Sequence, residues 1–243
     1  LMGSSHEKMR NSDVDFGFRQ NSDFTYLTGF PEPDSVALFD PNHPTENYVL
    51  FVRESDKFME MWHGFRYGLE GTREEFEADA VYSIKDMETI LEPRLKSREV
   101  NLIADPDYNF KTRLSKLFTA CDGERAKEIR LALNYQRMIK SPWEVEQMQK
   151  ANKISIKAHN KLMSSVLKAN HEYELQAEFD YICTKSGHRL QAYGQIVASG
   201  ANACCLHYGE NNQPIQRDGL VLVDAGVEVN SYASDITRTF PAN

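Results

Sequence analysis

The run Ser141-Pro142-Trp143-Glu144 constrains the fold of this chain more than any other. A serine at the N-cap, proline in the first helical position and glutamate three residues after the serine together specify a helix start. Apolar residues then recur at helical spacing through Val145, Met148, Ala151, Ile154, Ala158, Leu162 and Val166. This spacing predicts an amphipathic helix of about 28 residues, ending near Ala169-Asn170. A second helix is expected from Glu172 to Lys185, with Gly187 as its stop. A chain that commits to so long a helix here changes character at this point. A domain junction is therefore placed at 130–140, giving an N-terminal domain over 1–135 and a second domain over 136–243.

Upstream of the junction, short apolar runs alternate with amphipathic ones. Val36-Ala37-Leu38-Phe39 ends at the turn cluster Asp40-Pro41-Asn42, and Tyr48-Val49-Leu50-Phe51-Val52 follows as a buried-type strand. Thr72-Arg73-Glu74-Glu75 has the pattern of a capping box opening a helix. Val81–Ile84 is expected as a strand, Lys85–Leu95 as a helix, and Val100–Ala104 as a strand stopped by Asp105-Pro106. This alternation implies an α/β (α+β) fold, a small mixed sheet with helices packed on it.

Composition narrows the class. The 243 residues include 41% hydrophobic and 11% aromatic ones, enough for packed cores. A net charge of −8 argues against a nucleic-acid partner, because phosphate recognition depends on clustered Lys and Arg. Short basic stretches such as Arg94–Arg98 are interleaved with acids and read as solvated faces. No apolar run approaches the ~20 residues needed to cross a bilayer, so no membrane partner is expected. Cys121, Cys183, Cys204 and Cys205 have no zinc-type spacing, and the adjacent Cys204 and Cys205 are expected to be small buried apolar groups. That usage fits a reducing, cytoplasmic setting, or a mitochondrial one if a targeting segment preceded Leu1.

Two carboxylates bear most directly on chemistry. Asp224 ends the apolar run Leu220-Val221-Leu222-Val223, and Asp235 stands in Ser234-Asp235-Ile236-Thr237-Arg238-Thr239-Phe240. The two runs read as arms of a hairpin with a turn near Glu228–Ser231. Pairing in which facing positions sum to 459 sets Asp224 opposite Asp235, with Cβ atoms roughly 4.5–5.5 Å apart. Like charges that close favour a cation between them, and oxygen ligands suit a hard divalent ion. The alternative is that Asp224, before Ala225-Gly226, only ends a strand by accepting hydrogen bonds from the turn.

His207 lies in the loop Cys205-Leu206-His207-Tyr208-Gly209-Glu210-Asn211, where a lone histidine is commonly a surface side chain. Tyr193, in Gln191-Ala192-Tyr193-Gly194-Gln195, reads by itself as a half-buried strand tyrosine. Arg238, three residues after Asp235, is expected on the opposite strand face and so does not pair with it.

Several longer motifs carry a family resemblance. Arg137-Met138-Ile139-Lys140-Ser141-Pro142-Trp143-Glu144, Ile196-Val197-Ala198-Ser199-Gly200, Leu206-His207-Tyr208, Leu222-Val223-Asp224-Ala225-Gly226 and Ser234 to Pro241 resemble, in order, the catalytic domain of the pita-bread metallopeptidases. Phe18-Arg19-Gln20-Asn21-Ser22-Asp23-Phe24-Thr25-Tyr26-Leu27-Thr28-Gly29-Phe30 and Trp62-His63-Gly64-Phe65-Arg66-Tyr67-Gly68 narrow the resemblance to the aminopeptidase P (Xaa-Pro aminopeptidase) family. The resemblance implies the family's N-terminal mixed sheet followed by the first part of a pita-bread domain. It implies a dinuclear Mn²⁺-dependent enzyme that releases the residue preceding proline from a peptide, and a homo-oligomer. Two Asp, one His and two Glu hold the ions in that family. By resemblance Asp224 chelates one ion, Asp235 bridges both, His207 acts on the substrate and Tyr193 faces its N-terminal side. The family's remaining His and Glu ligands follow the second Asp, whereas all seven histidines here precede Asp235. The chain is thus expected to be a fragment cut at both ends and inactive alone. Prolidase, with the same metal set, and a non-catalytic pita-bread binding protein are the alternatives; retention of both aspartates counts against the latter.

Overall fold

The computed structural model describes residues 1–95 and 123–243. The chain divides into two compact units, Leu1–Met138 and Ile139–Asn243. The strand expected at 100–104, and Cys121, lie outside the described residues.

The first unit is built on a four-stranded mixed sheet. Its strands are β1 (Met2–Gly3), β4 (Val36–Phe39), β5 (Tyr48–Val52) and β6 (Ala80–Ser83), in spatial order β1-β4-β5-β6; β2 (Met9–Asn11) and β3 (Val14–Asp15) form a separate exposed ribbon. β4 is antiparallel to β1 and β5, whereas β5 and β6 are parallel. A parallel pair needs a long crossover. Here it carries two helices, Lys57–His63 and Gly68–Glu75, which are α2 and α3 after α1 (Ser22–Thr28).

The continuous apolar runs of β4 and β5 follow from burial on both faces. Val36, Leu38, Val49 and Phe51 pack with Met87 and Leu91 of α4 (Met87–Leu95). Ala37, Leu50 and Val52 pack on the opposite face with Phe24, Phe30 and Val81, where α5 (Gly123–Met138) adds Ile129. Phe24, Phe30 and Phe51 are fully buried, each contributing about 1.5–3 kcal/mol of transfer free energy.

Two expectations change in this unit. Thr72 does not open a helix; it lies inside α3, and its buried hydroxyl donates back to the carbonyl of Gly68 at 2.5 Å. Arg94 is not a solvated charge but is largely buried and paired with Glu46, which holds the glutamate below its ordinary pKa.

The second unit opens with α6 (Pro142–Ser165), whose Ser141–Glu144 capping box forms as the sequence predicts. Helix α7 (Glu172–Lys185) has the expected bounds. The strands are β7 (Ile196–Ser199), β8 (Leu220–Asp224), β9 (Glu228–Val229), β10 (Tyr232–Ala233) and β11 (Thr237–Pro241). β7, β8 and β11 form an antiparallel sheet in the order β11-β8-β7, and β9 and β10 form a two-stranded ribbon. Ala151, Ala158 and Leu162 of α6 and Leu175 and Phe179 of α7 close the core over Val197, Val221 and Val223. Helix α6 ends a turn earlier than its apolar spacing predicts, although Val166 and Ala169 remain in that core. Among the described residues no helix is long and apolar enough to cross a membrane.

Candidate functional site

The hairpin that carries the two aspartates has a register two residues away from the expected one. Asp224 pairs with Thr237 across β8 and β11, and Val229 pairs with Tyr232 in the ribbon. Facing positions therefore sum to 461 (224 + 237), and the turn falls on Asn230 and Ser231. Both turn residues have positive φ, 49° and 68°, the backbone a type I′ hairpin turn demands and asparagine tolerates. Asp235 does not face Asp224 from within a strand. It lies in the link between β10 and β11, where the Ala225 N–H donates to the Ile236 carbonyl at 3.2 Å. A slip of two residues preserves side-chain parity, so the shared face survives the error.

Strand alternation explains how β8 ends on a carboxylate. Val221 and Val223 are buried in the core, whereas Leu220, Leu222 and Asp224 lie on the less covered face. Asp224 is half-buried and Asp235 exposed. The Tyr193 hydroxyl lies against both, with its oxygen within hydrogen-bonding distance of Asp224 Oδ1 and 3.1 Å from Asp235 Oδ1. Burial first, and then the adjacent Asp224 carboxylate, push the Tyr193 phenol far above its ordinary pKa. Backbone bonds place this tyrosine: the Ala192 N–H donates to Gly226 O at 2.9 Å and the Glu228 N–H to Leu190 O at 3.0 Å.

A polar seam on α6 fixes the hairpin from behind. The Tyr232 hydroxyl donates to Glu144 Oε1 at 2.7 Å, and Asn230 Nδ2 donates to Gln147 Oε1 at 2.9 Å. The Ser155 and Ser234 hydroxyls are 2.7 Å apart, and His159 Nε2 lies 3.0 Å from the Ala225 carbonyl. That contact puts the proton on Nε2. His159 Nδ1 is buried without a hydrogen-bond partner, and burial lowers the pKa of the ring. Apolar periodicity could not find Glu144, Gln147, Ser155 or His159. Their signal is a polar stripe at i, i+3, i+4 spacing beside the apolar one.

His207 is exposed beyond a 3-10 turn, Gly200–Cys204. It lines a cavity of ≈ 560 Å³ together with Tyr193, Tyr208, Asp224 and Asp235. All four residues singled out in the sequence thus border one space. Cys204 and Cys205 are exposed rather than buried, because they end a 3-10 turn that buries none of its residues, whereas burial pushes the Cys183 thiol up to about 12. Arg238 donates to the adjacent Thr237 carbonyl at 2.7 Å.

Two convergent carboxylates sharing a single phenolic proton are short of positive charge, and hard oxygen donors fit a divalent cation. Asp224 and Asp235 therefore suit part of a metal site. Among the described residues no group of three or more His, Cys, Asp or Glu could hold an ion, and the two aspartates alone fall short of that number.

The profile of the aminopeptidase P N-terminal domain matches residues 1–103, and that of metallopeptidase family M24 matches residues 146–243. A Xaa-Pro aminopeptidase of Haemophilus influenzae is 37% identical over 243 residues, covering 100% of this chain and 56% of the relative. The Xaa-Pro aminopeptidase of Escherichia coli is 34% identical, covering 100% of this chain and 58% of the relative. Among solved structures, the Pseudomonas aeruginosa aminopeptidase PepP superposes with a TM-score of 0.86 at 38% identity, over 99% of this chain and 57% of that one. The low-pH form of Escherichia coli aminopeptidase P gives 0.89 at 33% identity, over 99% and 57%. A zinc-substituted form of the Escherichia coli protein with product gives 0.88 at the same identity. The chain thus spans a little over half the length of these relatives.

Proposed function

As this chain belongs to the aminopeptidase P family of metallopeptidases, we propose that its protein releases the first residue of peptides with proline in second position. The observation that carries this reading is the approach of the Asp224 and Asp235 carboxylates to one Tyr193 hydroxyl, beside a cavity that His207 also lines. Asp224 and Asp235 hold divalent cations in part, and Mn²⁺ in a dinuclear arrangement is the form proposed, since oxygen-rich sites suit that ion. Bound there, such cations supply the Lewis acidity that polarises a peptide carbonyl and activates water.

The other roles belong to side chains of this chain. Tyr193 Oη–H holds the two carboxylates at a common point and borders the N-terminal side of the bound peptide. His207, on the cavity rim, donates a hydrogen bond to the peptide and stabilises charge that develops on it. The polar seam on α6 keeps the hairpin from shifting when the peptide binds.

The test is release of the first residue from an Xaa-Pro-containing tripeptide by the complete gene product carrying this sequence, with and without a chelator. Release restored by Mn²⁺ supports the reading. Cleavage confined to Xaa-Pro dipeptides would favour a prolidase activity instead.

A further inference from the structure

The proposed role of His207 leaves open what holds it in place, since the segment around it contributes nothing to the core. Cys204, Cys205 and His207 are exposed, and Leu206 is 89% exposed. Polar bonds hold the segment instead, and they meet at one side chain. Glu172, the first residue of α7, is fully buried. Its Oε1 accepts the Ser199 N–H at 2.8 Å and Asn202 Nδ2–H at 2.9 Å. Its Oε2 accepts the Tyr208 hydroxyl at 2.7 Å and the Gln213 N–H at 3.0 Å. The Glu172 N–H completes the set by donating to Gln213 O at 3.0 Å.

These four donors come from both sides of His207 in the sequence, two before it and two after. A carboxylate is the one side chain of this size that accepts at both ends. An isosteric amide presents its NH₂ to one donor pair and leaves at least one buried N–H unmatched. The Asn211 side chain adds a brace, accepting from Val197 N–H and donating to Gln195 O and Gln176 Oε1.

We propose that Glu172 is the positioning residue for His207, gathering residues 199–213 so that the imidazole is held at the cavity that the aspartates border. The role in turnover rests on the peptidase reading above; the ordering of the segment does not. A glutamate at a helix start could merely complement the helix dipole, but that role would not bind four groups distributed around another residue.

The experiment compares the complete wild-type gene product with its Glu172→Gln variant by amide hydrogen exchange and by the NMR signals of the His207 ring. Exchange over 199–213 should quicken at least about tenfold, as expected for loss of hydrogen bonds to a charged group, while amides of β8 and β11 keep their rates. The His207 ring signals should shift or broaden. Unchanged exchange and unchanged ring signals would overturn the proposal. If Glu172→Gln does not fold, Asn202→Ala removes one of the four bonds and should produce a smaller change confined to the same segment; no change there would likewise overturn it.

In the complete gene product, Glu172→Gln should slow turnover about 10–100-fold, the scale of a misplaced catalytic group. In a His207→Ala background it should slow turnover less than about twofold, because residues acting as a unit are not additive. Equal losses in both backgrounds would contradict action through His207. A wild-type protein without turnover would contradict the peptidase reading, and the exchange and ring signals would still decide whether Glu172 positions His207.

Discussion

Gly226 lies so close to Ser234 that a β-carbon on the glycine would sit 1.9 Å from the Ser234 carbonyl oxygen. Asp224 is two residues before this contact and Asp235 directly after it, so the approach of the two carboxylates depends on the missing side chain. The hairpin must open for any larger residue, because the obstacle is backbone. Gly226→Ala should therefore destabilise the chain by about 1–3 kcal/mol, the range for overpacking a close-packed site. Urea denaturation followed by circular dichroism measures it. A variant of wild-type stability would mean that the hairpin is held less tightly than these distances require.

The Tyr193 hydroxyl reaches both carboxylates. Tyr193→Phe should lower stability in the absence of metal by about 1–3 kcal/mol, since both carboxylates then lose a donor. Thermal melts in chelator provide the comparison. An unchanged melting temperature would mean that solvent satisfies the pair without the phenol.

The parts of the fold legible in the sequence are those written in strong local signals. The capping box at Ser141 and the bounds of α7 follow from residues within a few positions of each other. The doubly buried β4 and β5 follow from uninterrupted apolar runs. The hairpin register depended on locating the turn, and Asn230-Ser231 lacks the glycine that marks most type I′ turns, so the pairing came out two residues away. The aspartates still share a face because side-chain direction has a period of two.

Other features were less legible for a physical reason. Val145 matched the apolar period of α6 yet is 40% exposed, while Glu144 and Gln147 are buried. Helix α6 packs its polar stripe on a hairpin whose own groups need partners, which no count of apolar residues can register. Glu172 stood out in the sequence only as the start of an expected helix, because its four partners are dispersed from Ser199 to Gln213.

Acid should weaken the seam between α6 and the hairpin. The Ser141 N–H first, and then the Tyr232 hydroxyl, hold the Glu144 carboxyl below its ordinary value of 4.5. A carboxylate with a depressed folded pKa contributes stability above its unfolded value and loses it as pH falls through the folded one. The stability difference between wild type and Glu144→Gln should therefore be largest near neutral pH and shrink below pH 4.5. Urea midpoints across that range measure it, and a difference that grows toward acid would contradict the assignment. At neutral pH, Ser141→Ala should lower stability by about 0.5–2 kcal/mol through loss of the cap.

His207 and the aspartates should separate in their effects. His207→Ala is expected to lower turnover of the complete gene product on the order of 10²–10³-fold, as for loss of one electrostatic stabiliser, with bound metal unchanged. Metal analysis beside peptide kinetics makes the distinction. Loss of metal from His207→Ala would make it a ligand and not a substrate-facing group.

The most direct measurement is metal content and Xaa-Pro tripeptide cleavage for Asp235→Asn in that same protein. An amide keeps the size of Asp235 while removing the charge that cations near both carboxylates require. Bound Mn²⁺ and cleavage should fall together. Full cleavage with full metal content in Asp235→Asn would contradict the assignment of this hairpin as part of a metallopeptidase centre.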